Sequence, residues 1–235
     1  MNTRRAVLTA IALAVIAANA GCAAATPNVN GGEDLPAVEV REYEGENLSS
    51  INDFRENSIK GPQSVEAGEY VLTVHGLVED DVSYTYEEVI DGFKSYRKVV
   101  TLSCVEGWDV KLLWEGVLVR DILQEAGVRP EATIVIFKAA DGYSTTLPVD
   151  YIMGRDILLA HGMNSVTIPP ERGFPFQLVA ETKWGYKWIK WVTEIELSAN
   201  EDFRGYWEFY GYSESGDLDK PFVDPFPWTA GGDTK

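Results

Sequence analysis

From Ile51 onward the chain consists of short β-type runs broken by glycine-marked turns, and this rhythm restricts the fold more than any other feature. YVLTVHGLV is rich in β-branched and apolar residues and ends in a turn. YRKVVTLSC is a second such run, with Cys104 at its C-terminal end. ATIVIFKAADGYSTTLPV predicts two strands meeting at Asp141 and Gly142, as in a hairpin. FPFQLVAETKWGYKWIKWVTEIEL predicts two more β segments around Gly185, with Trp188 and Lys190 alternating against Ile189 and Trp191. Helical signals are few. TYEEVIDGF reads as a short helix ended near Gly92, and GVLVRDILQEAGV as a helix of about three turns, with Val117, Ile122, Leu123 and Ala126 on one face and Gly127 as a stop. The expected class is α+β, mixed β-sheets with a few short helices.

At 235 residues the chain suits one well-filled domain, and 45% apolar against 24% charged residues excludes disorder of the whole. The 37 acidic and 20 basic residues leave a net charge of −17. A surface of that sign repels nucleic-acid phosphates and anionic lipid headgroups, so no nucleic-acid partner is expected. It disfavours anionic substrates too, unless a local basic pocket overrides the global field.

The N-terminus, MNTRRAVLTAIALAVIAANAGC, has a short basic region, an apolar stretch, then small residues before Cys22. The apolar stretch is shorter than the roughly 20 residues needed to cross a bilayer, so residues 1–22 read as an export signal. Thr3, Arg4, Arg5, Val7 and Leu8 resemble a twin-arginine signal. Ala20, Gly21 and Cys22 resemble the end of a lipobox, with Asn19 where leucine is usual; the alternative is ordinary cleavage near Ala20 or Ala25. The expected location is the periplasm or the outer face of the cell membrane, with a lipid on Cys22 as the only membrane attachment. Residues 23–47 combine small residues, Gly-Gly, proline and acidic side chains without apolar periodicity, which predicts a flexible tether. Residues 48–235 remain as the folded domain with a C-terminal extension.

With Cys22 lipidated or removed, Cys104 has no intramolecular partner, and a disulfide framework is excluded. His75 and His161 lie in no zinc-like spacing, and no haem, G-x-S-x-G or Walker motif occurs. Cys104 is then either core filler, a nucleophile or a metal ligand. Core burial is common for free cysteine. Nucleophilic use is opposed by Glu106, whose charge raises the thiol pKa, whereas a thiophilic metal deprotonates the thiol outright. Glu106 itself reads either as a proton relay whose pKa is raised by burial or as a carboxylate capping the turn after Cys104. Trp108 is expected to pack as a wall, and His75 to be structural.

CVEGW, LLWEGVLVRDIL, DGY, LLAHGMNSVTIPPERGFPFQLV and WGYKWIKWVTEIEL, in that order and spacing, resemble the molybdopterin-binding domain of the sulfite oxidase superfamily. Within it the chain is similar to the catalytic subunit of bacterial periplasmic methionine sulfoxide reductases, from about Leu48 to Leu197. The resemblance implies the sulfite oxidase molybdopterin-binding fold and a molybdenum–molybdopterin cofactor, one pterin per metal, with Cys104 bound to the metal. It implicates Asn52, Arg55 and Glu56 in NDFRE at the pterin. It puts Ala139 where the family has a hydroxyl residue, Arg172 and Gln177 where the reductase has asparagine and arginine, and Trp188, Ile189 and Lys190 at the cofactor's phosphate end, with Lys187 nearby. For Lys190 the alternative is a solvated lysine on a strand whose tryptophans fill the core.

Sulfite oxidases usually carry arginines soon after the ligand cysteine, but Val-Glu-Gly-Trp-Asp-Val follows Cys104 here. A neutral S-oxide or N-oxide, small or protein-bound, is therefore expected as substrate, with sulfite oxidation as the alternative. Without a haem motif, electrons are expected from a separate haem-containing cytochrome, membrane-bound or soluble, that offers a complementary basic patch. Lys235 follows Leu197 too closely for the superfamily's immunoglobulin-like dimerisation domain, so a monomer is expected. The alternative from another class is a metal-free, lipid-anchored ligand-binding protein on the same scaffold.

Overall fold

A computed structural model describes residues 38–223 of the chain. A ribbon of β1 (Glu42–Tyr43) and β2 (Glu46–Asn47) precedes β3 (Val71–Gly76), β4 (Val82–Thr85), α1 (Tyr86–Gly92), β5 (Ser95–Ser103) and β6 (Asp109–Leu118). Then come α2 (Val119–Ala126), β7 (Ile134–Ala139), β8 (Ser144–Pro148), α3 (Val149–Met153), β9 (Leu158–Met163) and β10 (Val166–Thr167). β11 (Gln177–Val179), β12 (Val192–Ser198) and α4 (Tyr206–Phe209) complete the set.

These strands form two five-stranded sheets. The first has the order β4-β3-β12-β7-β8, parallel between β3 and β12 and antiparallel elsewhere, so it is mixed. In the second, β5 pairs with β6 and β6 with β9, while β9 also pairs with β10 and β11, all antiparallel. The buried core joins Leu72, Val74 and Phe137 of the first sheet with Leu112, Trp114 and Leu159 of the second. The α+β expectation therefore stands.

Local signals account for several elements. Thr85 caps α1: its hydroxyl accepts the Glu88 N–H at 3.2 Å and Glu88 Oε2 accepts the Thr85 N–H at 2.8 Å, a reciprocal capping box. The β7–β8 hairpin turns at Asp141 and Gly142 as expected, with Asp141 Oδ1 accepting the Tyr143 N–H at 2.8 Å.

Three expectations are corrected. The helix expected over GVLVRDILQEAGV begins only at Val119 and has eight residues, because Val117 is taken into β6, paired with Ser95 on one side and Leu159 on the other. Pairing with two strands outweighs the helical spacing of one valine. Around Gly185 the first and last β segments exist as β11 and β12, but Gly185–Lys187 is a 3-10 turn and the segment through Trp191 is irregular. Trp188, Ile189 and Trp191 are all buried instead of alternating. Their polar atoms are satisfied individually: Trp188 Nε1 donates to Lys183 O, Trp191 Nε1 to Pro170 O, and Ile189 O accepts the Leu178 N–H.

The predicted tether is anchored before it ends. Glu39 accepts hydrogen bonds from Ser50 Oγ, the Ile51 N–H and Asn164 Nδ2 at 2.7–2.9 Å, and the Val40 N–H reaches Asn164 O. The export signal, Cys22 and the tether up to residue 37 lie outside the described residues.

Candidate active site

The β5–β6 ladder runs from Ser95 opposite Val117 to Ser103 opposite Asp109 and closes on the turn that carries Cys104. The Cys104 N–H donates to Trp108 O, and Gly107, at φ +84°, donates back to Cys104 O. Gly107 accepts the left-handed backbone angle this closure requires. The sulfur thus sits at the end of a long two-stranded ribbon, 9% exposed, on the wall of a cavity of about 300 Å³.

Burial pushes the Cys104 thiol above its ordinary pKa, and the neighbouring Glu106 charge pushes the same way. Backbone N–H groups of Glu106 and Val105 and the Asn57 amide, 3.9 Å away, oppose them without prevailing. The thiol therefore stays protonated at neutral pH unless a cation displaces its proton.

Of the two readings of Glu106, the structure goes against the buried carboxyl with a raised pKa. Glu106 is exposed, and hydrogen bonds from Trp108 Nε1 at 3.1 Å and Asn57 Nδ2 at 3.2 Å, with the Arg55 charge, lower its pKa. The carboxylate is ionised at neutral pH and fixed beside the sulfur by two donors.

A cationic end lies in the same cavity. Arg172, buried after the 3-10 turn Pro170–Arg172 begins, donates from Nη2 to Phe54 O at 2.9 Å and stacks 4.0 Å over the Phe54 ring. Its Nε and Nη1 are buried and have no hydrogen-bond partner among the described residues. Lys190 Nζ is 2.6 Å from Glu56 Oε1. Burial lowers the pKa of both cations, against the raising influence of nearby carboxylates. Buried donors without partners are uncommon in folded proteins and mark a place where an acceptor belongs. A phosphate would supply that acceptor, and a thiophilic metal would supply the charge that the Cys104 sulfur lacks. The donor set therefore fits a cofactor with a metal at one end and a phosphate at the other.

Of the residues singled out from the sequence, Cys104, Glu106, Arg55, Arg172, Gln177, Trp188, Ile189 and Lys190 line this one cavity. Glu56 stands behind it and pairs with Lys190. Asn52 is exposed, Ala139 is buried in β7, and neither is on the lining. Ala139 instead closes the hairpin loop, its N–H donating to Tyr143 O, and that loop sends Asp141 and Tyr143 into the cavity. Lys187 is fully buried away from the cavity in an ion pair with Glu208. His75 pairs with Glu194 on the first sheet, in keeping with a structural role.

Among the lining residues that sequence reasoning missed are Asn57, Tyr186, Trp207 and Tyr212. Asn57 lies one residue past the NDFRE segment and carried no signal of its own. Trp207 and Tyr212 come from the C-terminal extension, where no periodicity points inward.

Residues 59–207 match the family described as the oxidoreductase molybdopterin binding domain. The uncharacterized oxidoreductase YuiH of Bacillus subtilis is 36% identical over 147 residues, covering 62% of this chain and 73% of that protein. The protein-methionine-sulfoxide reductase catalytic subunit MsrP of Xanthomonas axonopodis pv. citri is 27% identical over 223 residues, covering 83% of this chain and 69% of that protein. Among solved structures, the sulfane dehydrogenase SoxCD from Paracoccus pantotrophus shares the fold, with a TM-score of 0.57 at 24% identity over 60% of this chain and 41% of that one. The match spans the ribbon that presents Cys104, the cationic end of the cavity and both sheets, and the chain belongs to the molybdopterin-binding oxidoreductases of the sulfite oxidase superfamily.

Proposed function

We propose that this protein is an exported molybdenum enzyme that reduces a neutral S-oxide or N-oxide, with methionine sulfoxide, free or protein-bound, as the leading substrate. The observation that carries the reading is Glu106, held ionised beside Cys104 by Trp108 and Asn57. An anion such as sulfite approaching the sulfur would meet this carboxylate, while a neutral oxide would not. The MsrP relative acts, by its name, on protein methionine sulfoxide, which agrees in substrate class.

Bound through the Cys104 thiolate, one molybdopterin-held molybdenum supplies two-electron oxygen-atom chemistry. Arg172 and Lys190, both on the cavity lining, would hold its phosphate. Reduction of an S-oxide consumes two electrons and two protons and releases the sulfide and water. Glu106 is exposed and can take a proton from solvent and pass it inward, and the Asn57 amide fixes the carboxylate for that transfer. Trp108 and Phe54, rings 5.6 Å apart, form an aromatic part of the wall of the same cavity.

Electrons come from a separate haem-containing partner, and the net charge of −17 favours one with a basic face. The twin-arginine-like leader suits export of a folded, cofactor-loaded monomer, and a lipid on Cys22 would keep it at the membrane.

The test is to express the chain with its leader in a molybdopterin-making host and measure molybdenum per polypeptide for the wild type and Cys104→Ser. Turnover of methionine sulfoxide with a reduced dye is then compared with sulfite-dependent cytochrome reduction. Near-stoichiometric metal lost in Cys104→Ser, with sulfoxide turnover, is the expected result. A metal-free wild type would leave a binding domain, and faster sulfite turnover would establish the oxidase reading instead.

A further inference from the structure

The cavity wall contributed by the segment after β12 is aromatic. Trp207 and Tyr212 both line the cavity, their ring centroids 5.1 Å apart at 37°. The family match ends at residue 207, so Tyr212 lies beyond it. Tyr212 meets Tyr186 edge-on at 5.1 Å, and Tyr186 belongs to the turn whose Gly185 would bring an added Cβ within 3.6 Å of the Cys104 Cα. The aromatic pair is thereby tied to the turn beside the sulfur.

The wall is held in place. Lys187 and Glu208, both fully buried, are 2.5 Å apart, and Thr145 Oγ1 donates to the same Glu208 oxygen at 2.6 Å. Tyr186 Oη donates to Ser213 O at 2.7 Å, fixing the backbone next to Tyr212. Trp207 remains 37% exposed, so ring surface is left for a ligand to cover. A preformed aromatic face costs little ordering entropy when a ligand docks on it.

We infer that Trp207 and Tyr212 are specificity-determining residues that contact the substituent beside the oxidised sulfur and select sulfoxides bearing a flat apolar or aromatic group over small dialkyl ones. The inference rests on the S-oxide reading above for its substrate class. Stacking or edge contact between aromatic groups corresponds to about a twofold to tenfold gain in affinity.

The test uses the oxidised holoprotein without an electron donor, so that binding is read apart from turnover. Calorimetric titration with methyl phenyl sulfoxide and dimethyl sulfoxide should give tighter binding of the aryl compound. Trp207→Ala and Tyr212→Ala should each shrink the ratio of the two affinities by about twofold to tenfold. If either variant fails to load molybdenum, leucine at that position keeps apolar packing without the ring. Phe209→Ala, which removes a ring 74% exposed and off the cavity lining, should leave the ratio unchanged. Equal affinities in the wild type, no binding of the aryl sulfoxide, or a ratio that survives both wall substitutions would overturn the inference. Aryl-selective binding without reduction by the dye-reduced enzyme would overturn the S-oxide reading alone.

Discussion

Lys187 Nζ lies 2.5 Å from Glu208 Oε1, with both side chains fully buried, so the turn beside Cys104 and the C-terminal helix are joined by an ion pair shielded from water. Lys187 also donates to Thr146 O at 3.2 Å. Burial lowers the Lys187 pKa, and the Glu208 charge opposes that fall.

Removing one partner strands the other. Glu208→Ala should cost roughly 3–5 kcal/mol, measured by urea unfolding, because the ammonium is left buried and unpaired. The double variant Lys187→Met with Glu208→Leu should recover most of that loss. Equal destabilisation by the single and double variants would show that packing, not charge, carries the site.

Arg172 should behave in the opposite way in the cofactor-free protein. Because the buried Nε and Nη1, which lack partners among the described residues, offset the Nη2 bond to Phe54 O and the stacking on the Phe54 ring, Arg172→Met should leave apo stability unchanged or raise it by about 1 kcal/mol. Molybdopterin retention after gel filtration should fall by about tenfold or more, since charge-assisted bonds to phosphate are lost. Full retention of cofactor by Arg172→Met would remove Arg172 from the phosphate site.

Asp217 sets an acid limit for the C-terminal segment. Burial opposes ionisation, but hydrogen bonds from Lys183 at 2.5 Å and Lys220 at 2.8 Å overcome it and hold the carboxyl at about 2, against an ordinary 3.8. A carboxyl depressed in the folded state binds fewer protons there than in the unfolded chain. Its stabilisation is complete above about pH 4 and is lost as the pH falls to about 2. Asp217→Asn should flatten the unfolding free energy between those limits, followed by near-ultraviolet circular dichroism. An unchanged slope in the variant would assign the acid sensitivity to other carboxylates.

Gly116 marks a point where the second sheet tolerates no side chain. An added Cβ would lie 2.3 Å from Leu159 O and 2.6 Å from the Ala160 Cα, both backbone atoms of the paired strand β9. Gly116→Ala should cost more than about 3 kcal/mol, because β6 and β9 must separate. A thermal midpoint within a degree or two of wild type would mean that the ladder relaxes there freely.

The strands around Cys104 were legible because their signals are local. β-branched runs, the Asp141-Gly142 turn and the short helical run of TYEEVIDGF act over a few residues, and the structure keeps each of them. The end of α2 at Gly127 was legible for the same reason, whereas its start was not, because Val117 follows its strand partners. Trp188 to Trp191 misled for a related reason: alternation implies a strand only where the backbone is free to pair, and here tryptophan N–H groups and the Ile189 carbonyl tie the chain into a different path.

The sequence by itself determined the class of fold, the position of Cys104 at a strand end, the family and several of the residues that line its cavity. Only the tertiary structure decided that Glu106 is exposed and ionised, that Arg172 lines the cavity and keeps two buried donors without partners among the described residues, and that Trp207 and Tyr212 close one wall. Asn57 and Cys104 are 47 positions apart, and Lys187 and Glu208 are 21. No local propensity encodes such meetings. They follow from strand register and from which face each turn presents, quantities that exist only once both sheets are assembled.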